Sequence, residues 1–275
     1  MTKLADSALR RDSPNLAKGK EMSMRFFGFV LFDGDTSQFA DEILEVLDRD
    51  TRESLILACL NPHSFMVAKR DKIFHGALLC ANWLIPDGIG VVWGARRIGV
   101  PIKCRVTGPD VFTAVMERLD KKGGSVFFLG STQKTLDKIR NRMAENYPNV
   151  TVAGLYSPPF KAAFSEDDNS AMIDAVNQAR PDLLWVGMTA PKQEKWLAEH
   201  REQLDIKAAG AIGATFDFFA GNTKRSPMIM QRLGLEWLHR SIMSPSRLGK
   251  RNISSNPKFV LEVFREKLGY RNHTS

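Results

Sequence analysis

Cysteine is scarce in this chain, and what there is has no framework spacing: Cys59, Cys80 and Cys104 form an odd set without a C-x-x-C pair. That excludes a disulfide scaffold and a cysteine-built structural zinc, and it suits a reducing cytosol. Long apolar runs are missing as well. None approaches the roughly 18 residues of a membrane-spanning helix, and the polar N-terminus lacks the apolar stretch of a signal peptide. The expectation is a cytoplasmic protein, soluble or peripheral on a membrane. No internal repeat or low-complexity segment is present. What remains is ordinary globular composition, 43% hydrophobic over 275 residues, enough for one large α/β domain or for a domain with an appendage.

Charge is unevenly placed. The formal net charge is +8, and residues 222–275 alone hold 11 Lys/Arg against 3 Asp/Glu, which leaves 28 of each sign in the first 221 residues. Such a tail seeks polyanions: an anionic membrane surface, phosphorylated substrates or nucleic acid. A solvated basic face is the plainer reading of the same residues.

The hydrophobic pattern predicts alternating strands and helices. Residues 1–24 are polar and aperiodic and read as a flexible N-terminal arm. A strand is expected over Arg25 to Phe32, a helix over Thr36 to Asp48 and a strand over Ser54 to Leu60. Helices then follow over Ser64 to Arg70 and Asp71 to Leu79, with a short strand at Trp83 to Ile85 and a helix over Ile89 to Arg97. Thr107 or Asp110 can cap the next helix, which continues over Val111 to Leu119. From Ser125 the alternation is regular, with strands at Ser125 to Leu129, Val150 to Leu155, Asp182 to Val186 and Lys207 to Ile212. Helices separate them over Gln133 to Asn146, Ser165 to Ala179 and Pro191 to Gln203. This is a Rossmann-like, doubly wound, mostly parallel sheet over residues 25–221. Residues 222–275 form a basic helical appendage, with amphipathic helices expected over Pro227 to Met243 and Pro257 to Leu268. The apolar face of the second is Val260, Val263, Phe264 and Leu268. Such helices suit a membrane interface, the protein's own core or a partner subunit, so a homo-oligomer is left open.

Sheets of this kind bind ligands beyond the carboxyl ends of their strands. Asp87, held by Pro86 and Gly88 between a strand and a helix, can act as a general base or as a turn and cap residue. Asn61, after the preceding strand, can hydrogen-bond a sugar. Thr107, Gly108 and Asp110 open a helix on the same edge. Gly130 and Ser131 make a phosphate-compatible turn that lacks a G-x-G-x-x-G fingerprint and a Walker lysine, so neither a dinucleotide nor P-loop binding is supported. Gly187 ends the strand that leads to Gln193 and Glu194, placed where a substrate could be read. Arg225, Arg240, Arg247 and Lys250 spread over the appendage, and arginines so placed can converge on a diphosphate. Asp33-Gly34-Asp35 imitates an Asp-x-Asp metal motif but is also ordinary turn chemistry before a helix, and no metal is expected there.

The ordered motifs Leu60-Asn61-Pro62, Pro86-Asp87-Gly88, Val106-Thr107-Gly108-Pro109-Asp110, Phe128-Leu129-Gly130 and Pro191-Lys192-Gln193-Glu194, followed by Phe216-Asp217 with Ala220-Gly221, Arg225-Ser226-Pro227 and Leu235-Glu236-Trp237-Leu238, resemble the WecG/TagA/CpsF glycosyltransferases. The resemblance runs from about Arg25 to Arg251. It implies a metal-independent, inverting transferase with no cofactor. The enzyme would move a hexose (N-acetylmannosamine, its uronic acid or glucose) from a UDP-sugar donor to a polyprenyl-diphosphate-linked saccharide in cell-envelope or exopolysaccharide synthesis. Carried over by position, Asp87 would be the base, and Asn61 and Gln193 would contact sugar. Arg240, Arg247 and Lys250 would lie in an appendage that closes the site at the inner face of the membrane. Cys59 stands where members often carry threonine, and Ser226 where they carry alanine. The alternatives from other classes are a noncatalytic nucleic-acid-binding protein, against which the tail lacks a recognisable nucleic-acid module, and a nicotinamide-dependent oxidoreductase.

Overall fold

The computed structural model describes residues 25–232, 235–238 and 250–269, with the backbone alone at 232 and 250–253. In chain order the elements are α1 (Thr36–Leu47), β1 (Leu55–Leu60), α2 (Pro62–Ala68), α3 (Lys72–Leu79), β2 (Trp83–Pro86), α4 (Ile89–Arg97), α5 (Gly108–Lys122), β3 (Gly124–Gly130) and α6 (Gln133–Asn146). They continue with β4 (Val150–Tyr156), α7 (Glu166–Ala179), β5 (Leu183–Gly187), α8 (Lys192–His200), β6 (Ala208–Ala211), α9 (Thr215–Phe219), α10 (Met228–Arg232) and α11 (Lys250–Lys267).

The six strands form one sheet in the order β2-β1-β6-β5-β3-β4, and every neighbouring pair is parallel. Successive side chains point to opposite faces of a strand, and both faces here are covered. Leu55, Leu57, Val126, Phe128, Leu183 and Trp185 pack with α1, α5 and α6 on one face. Ile56, Phe127, Leu129, Leu184 and Val186 pack with α7 and α8 on the other. Ala58, Leu60 and Leu84 extend that second face under α2, α3 and α4. Burial on both sides explains why these strands read as continuous apolar runs.

The element ends agree with the sequence reading to within a residue or two at α1, β1, β2, α4, β3, α6, β4, α7 and β5. Four expectations need correction. Arg25 to Phe32 is no strand: Phe27 and Gly28 take left-handed φ values of 50° and 89°, so the chain turns on itself with Phe26 bridged to Phe29. The buried Phe26 ring lies against Phe65 and Phe259, and hydrophobic plugging replaces the sheet ladder there. The helix expected over Pro191 to Gln203 starts at Lys192, with Pro191 at its N-cap after a cis peptide, and gives way to a 3₁₀ turn at Arg201–Gln203.

In the basic segment, α10 ends at Arg232 and Leu235 lies outside any helix. Gly234, a poor helix former, stands between them in the sequence. Glu236, Trp237 and Leu238 are helical again, and the remainder of that expected helix, 239–243, lies outside the described residues. The last helix begins at Lys250 and runs through Pro257, because the polar stretch before the proline shows no apolar period to read. Its buried face is Phe259 and Val263, whereas Val260, Phe264 and Leu268 stay exposed. That face docks on α2 and α4, with an ion pair from Lys69 to Glu262.

Candidate functional site

Parallel strands share one carboxyl edge, and on it Asn61, Asp87, Ser131, Ser157, Met188 and Ile212 directly follow β1, β2, β3, β4, β5 and β6. Asp87 is pinned through its backbone, whose N–H donates to Leu60 O (2.9 Å) and Ile85 O (3.0 Å). Its carboxyl group is partly exposed. Gly88, at φ 133°, turns the chain into α4 and leaves that helix start without a side-chain cap. The first N–H groups of α4 therefore lie beside the Asp87 position without a cap from the N-cap residue, an arrangement that favours negative charge.

Asn61 caps α2: its Oδ1 accepts from Ser64 N (3.0 Å), while its own N–H donates to Ser64 Oγ (2.8 Å). Only its amide NH₂ remains for a ligand. Cys59, one turn of the pleat earlier on β1, is the hub of this end. Its thiol donates to Ala211 O at 3.7 Å, and its pKa is pushed well above the usual thiol value by burial, then by the charges of Asp87 and Glu194. β1, β2, β6 and α8 thus meet around one sulfur.

Gln193 and Glu194 open α8 and are each 3% exposed. Gln193 Nε2 donates to Glu194 Oε1 at 2.9 Å. Gln193 Oε1 and Glu194 Oε2 are buried without a hydrogen bond. Burial raises the Glu194 pKa to about 7, with the Gln193 hydrogen bond pulling the other way. The Gln193 amide sits under the loop after β6, where a Cβ on Gly213 would lie 3.5 Å from both amide heteroatoms.

Thr107, Gly108, Asp110 and Arg225 form a closed brace. Thr107 caps α5 and donates from Oγ1 to Asp110 Oδ2 at 2.7 Å. Arg225 donates from Nη1 to Asp110 Oδ1 (2.6 Å), from Nη2 to Thr107 Oγ1 (3.3 Å) and from Nε to Glu236 Oε1 (3.3 Å). Arg105 reaches the same Glu236 (3.2 Å) and the carbonyl of Gln231 (3.0 Å). Burial tends to raise the Asp110 pKa, but the hydrogen bond from Arg225 prevails and holds it below the usual carboxylate value. The Arg225 fork is therefore spent on tying the start of the basic segment to α5. Gly108 closes the other side of this helix start, with Thr215 Oγ1 and Cys59 Sγ at 3.2 and 3.7 Å from the position of an added Cβ.

The turn after β3 is closed as well. Gly130 takes φ 125°, and a Cβ there would lie 2.6 Å from Gly187 O. Ser131, at φ 57°, gives its N–H to that same carbonyl (3.1 Å), and its own carbonyl accepts from Ser157 Oγ (2.8 Å). Thr132 caps α6, and Asn222 hydrogen-bonds Thr135 in its first turn. Gly187 has no room for a side chain because Phe216 fills it.

Asp87 and Asn61 follow the adjacent strands β2 and β1, Gln193 and Glu194 open α8 as a hydrogen-bonded pair, and the Cys59 thiol feels the charges of both Asp87 and Glu194. Thr107, Asp110 and Arg225 pair with one another beside that end, where Val106 N–H donates to Pro86 O and Gly108 packs close to Cys59 Sγ. Arg240, Arg247 and the Lys250 side chain lie outside what is described, and the Lys250 backbone stands at the start of α11. Sequence reasoning missed Arg105, although it directly precedes the quoted Val106-Thr107 motif, and it missed the central place of Cys59. Asp33 accepts from Lys103 N, and Asp35 caps α1 through a reciprocal pair with Gln38. Among the described residues no group of three or more His, Cys, Asp or Glu side chains could hold a metal ion.

Residues 24–273 match the model of the glycosyl transferase WecG/TagA/CpsF family. An N-acetylglucosaminyldiphosphoundecaprenol N-acetyl-beta-D-mannosaminyltransferase of Bacillus spizizenii is 30% identical over 233 residues, 85% of this chain and 87% of that protein. One of the same name from Bacillus subtilis is 30% identical over 217 residues, 79% and 82% of the two chains. Another from Staphylococcus aureus is 25% identical over 239 residues, 86% and 91%.

Proposed function

Starting from the fact that this chain belongs to the WecG/TagA/CpsF glycosyltransferase family, we propose that it moves an N-acetylmannosamine-type hexose from a UDP-sugar to a polyprenyl-diphosphate-linked N-acetylglucosamine. The named activity of the relatives supports the acceptor class and this choice among the three candidate sugars. Family membership also decides against a noncatalytic nucleic-acid-binding protein and a nicotinamide-dependent oxidoreductase.

In this reading Asp87 accepts the proton of the acceptor hydroxyl. The oxygen attacks the anomeric carbon from the side opposite the diphosphate, the bond from that carbon to the diphosphate oxygen breaks, and UDP leaves with the electron pair, so the configuration inverts. The uncapped N–H groups of α4 and the cations Arg240, Arg247 and Lys250 offset the charge that develops on the diphosphate. Arg225 is committed to Asp110 and Glu236, and its part is to hold the basic segment in place. The carrying observation is that Asp87 and Asn61 directly follow the paired strands β2 and β1 on one edge of the sheet, with the charges of Asp87 and Glu194 both felt at the Cys59 thiol of β1.

The test is a panel of UDP-sugars (N-acetylmannosamine, its uronic acid and glucose) offered with a lipid-linked N-acetylglucosamine acceptor, with EDTA in parallel. Transfer from the N-acetylmannosamine donor alone, unchanged by EDTA, is expected. A general base contributes roughly 10²–10⁴-fold, so Asp87→Asn should lose about 10³-fold in kcat at unchanged melting temperature. Full activity of that variant would remove Asp87 from its role.

No helix among the described residues is long and apolar enough to cross a membrane. We propose peripheral attachment to the inner face of the membrane through the basic segment. Exposed Val260, Leu261, Phe264 and Leu268 lie among Lys258, Arg265 and Lys267 on α11, a composition suited to an anionic interface. Flotation with anionic vesicles but not neutral ones is expected, and equal flotation with both would end that proposal.

A further inference from the structure

Glu194 is out of place on ordinary stability grounds. A buried carboxyl group is normally paired with a cation or well supplied with donors, and this one has a single side-chain donor, the amide of its neighbour Gln193, besides its own backbone N–H. The cations on its own helix are turned elsewhere. Lys192 lies over the Phe164 ring at 3.4 Å and donates to Lys161 O, and Lys195 pairs with Asp71. Across the site its negative charge acts on the Cys59 thiol, which also feels Asp87, and neither acidic group attracts a second negative charge. A group kept under such conditions is a candidate for function.

The chemistry of the neighbour says what that function is. A glutamine amide has a donor end and an acceptor end, nearly the same in shape, and which end faces a ligand decides what the ligand must present. An ionised carboxyl group only accepts. Its oxygen therefore fixes Gln193 with Nε2 inward, and Oε1, which has no hydrogen bond, is the end left over. We propose that Glu194 is a positioning residue that locks the Gln193 amide so that its carbonyl Oε1 is offered to a hydroxyl or amide N–H of a bound sugar. The inference rests on the reading above in which Gln193 contacts sugar.

Three variants in the lipid-linked transfer assay separate the two ideas. Gln193→Ala is expected to raise the KM for sugar substrate about tenfold, the size of one lost hydrogen bond. Glu194→Gln keeps the shape but adds a donor that can satisfy Gln193 in the flipped orientation. It should raise the same KM about tenfold, with kcat within roughly threefold of the wild type and a melting temperature at pH 8 no lower. Glu194→Asp, again an acceptor only, should recover part of the loss. If Gln193→Ala is silent, the sugar-contact reading falls and takes the inference with it. If Gln193→Ala is impaired while Glu194→Gln is silent, the sugar contact stands and the positioning role is overturned. A KM change in Glu194→Gln that comes with an equal loss of thermal stability would make the residue merely structural. A wild-type protein inert with every donor overturns both ideas.

Discussion

Two sets of polar groups on the sheet's carboxyl edge, interleaved in space, are built on different terms. Around α5, β3 and α6, polar groups are matched: Arg225 between Asp110 and Glu236, Ser131 on Gly187 and Ser157, Asn222 on Thr135. Around β1, β2 and the start of α8 they are not. Of the five buried side-chain polar atoms lacking a hydrogen bond among the described residues, two belong to the adjacent Gln193 and Glu194, and the others (Trp185 Nε1, His200 Nε2 and Ser226 Oγ) are scattered singly. The α4 start beside Asp87 has no side-chain cap, whereas α5 and α6 are capped by Thr107 and Thr132. Unspent hydrogen-bonding capacity marks the set prepared for a ligand, and spent capacity marks the scaffold that holds it.

If that division is correct, substitutions in the matched set should cost stability, and those in the unmatched set should cost function. The largest stability effect is expected from Arg225→Ala, which leaves Asp110 half-buried beside a hydroxyl alone. Breaking a buried pair from one side costs about 3 kcal/mol, or roughly 6–12 °C in melting temperature for a chain of this size. Arg225→Lys should not restore it, because a single ammonium cannot serve Asp110, Thr107 and Glu236 at once. Thermal melts of both variants check this. An Arg225→Ala protein that melts normally but no longer transfers sugar would put the guanidinium on the substrate and break the comparison.

Somewhat smaller is the pH effect at Glu194. Its folded pKa, about 7, lies above the ordinary glutamate value of 4.5, so the folded state holds the proton more tightly than the unfolded chain does. The carboxyl group therefore costs nothing below pH about 4.5. It becomes progressively destabilising as pH rises toward 7 and stays so above, by about 2–3 kcal/mol. Glu194→Gln removes this ionisation. The variant should match the wild type near pH 4.5 and melt higher at pH 8, and parallel melting curves across that range would show that Glu194 is not buried as described.

The fold was legible because it is written in local signals. Apolar runs bounded by Gly and Pro gave β1, β2, β3 and β5, the 3.6-residue period gave α1 and α6, and Thr107 as a candidate cap marked the start of α5. Failures came where tertiary contact overrode a local cue. Phe26 to Leu31 has strand composition, yet its phenylalanines are pulled into the cleft between α2 and α11. The start of α11 is polar, and it is held by tertiary contacts with α2 and α4 through Phe259 and Val263 and by the hydrogen bond between Ser255 and His63. In the site, Asp87 and Asn61 could be placed from a strand followed by a turn. Nothing local distinguished Arg225, held in a brace, from an arginine awaiting phosphate, because its partners Asp110 and Glu236 are 115 and 11 residues away. The mutual burial of Gln193 and Glu194 was likewise invisible, since it depends on the loop after β6.

The smallest expected effect is the sharpest test of where the boundary between the two sets runs. Ser131 was read from sequence as part of a phosphate-binding turn, yet its N–H and carbonyl are both committed, and it is held at φ 57°, a region that L side chains enter at a cost. Ser131→Gly relieves that cost while enlarging the freedom of the unfolded chain, and the balance at a left-handed position favours glycine by about 0.5–1 kcal/mol. If Ser131 is scaffold, the variant melts slightly higher and its KM for the UDP-sugar is unchanged. A KM raised several-fold in a protein that melts no lower would mean that the hydroxyl touches the donor, and the prepared set would then extend across β5 to β3.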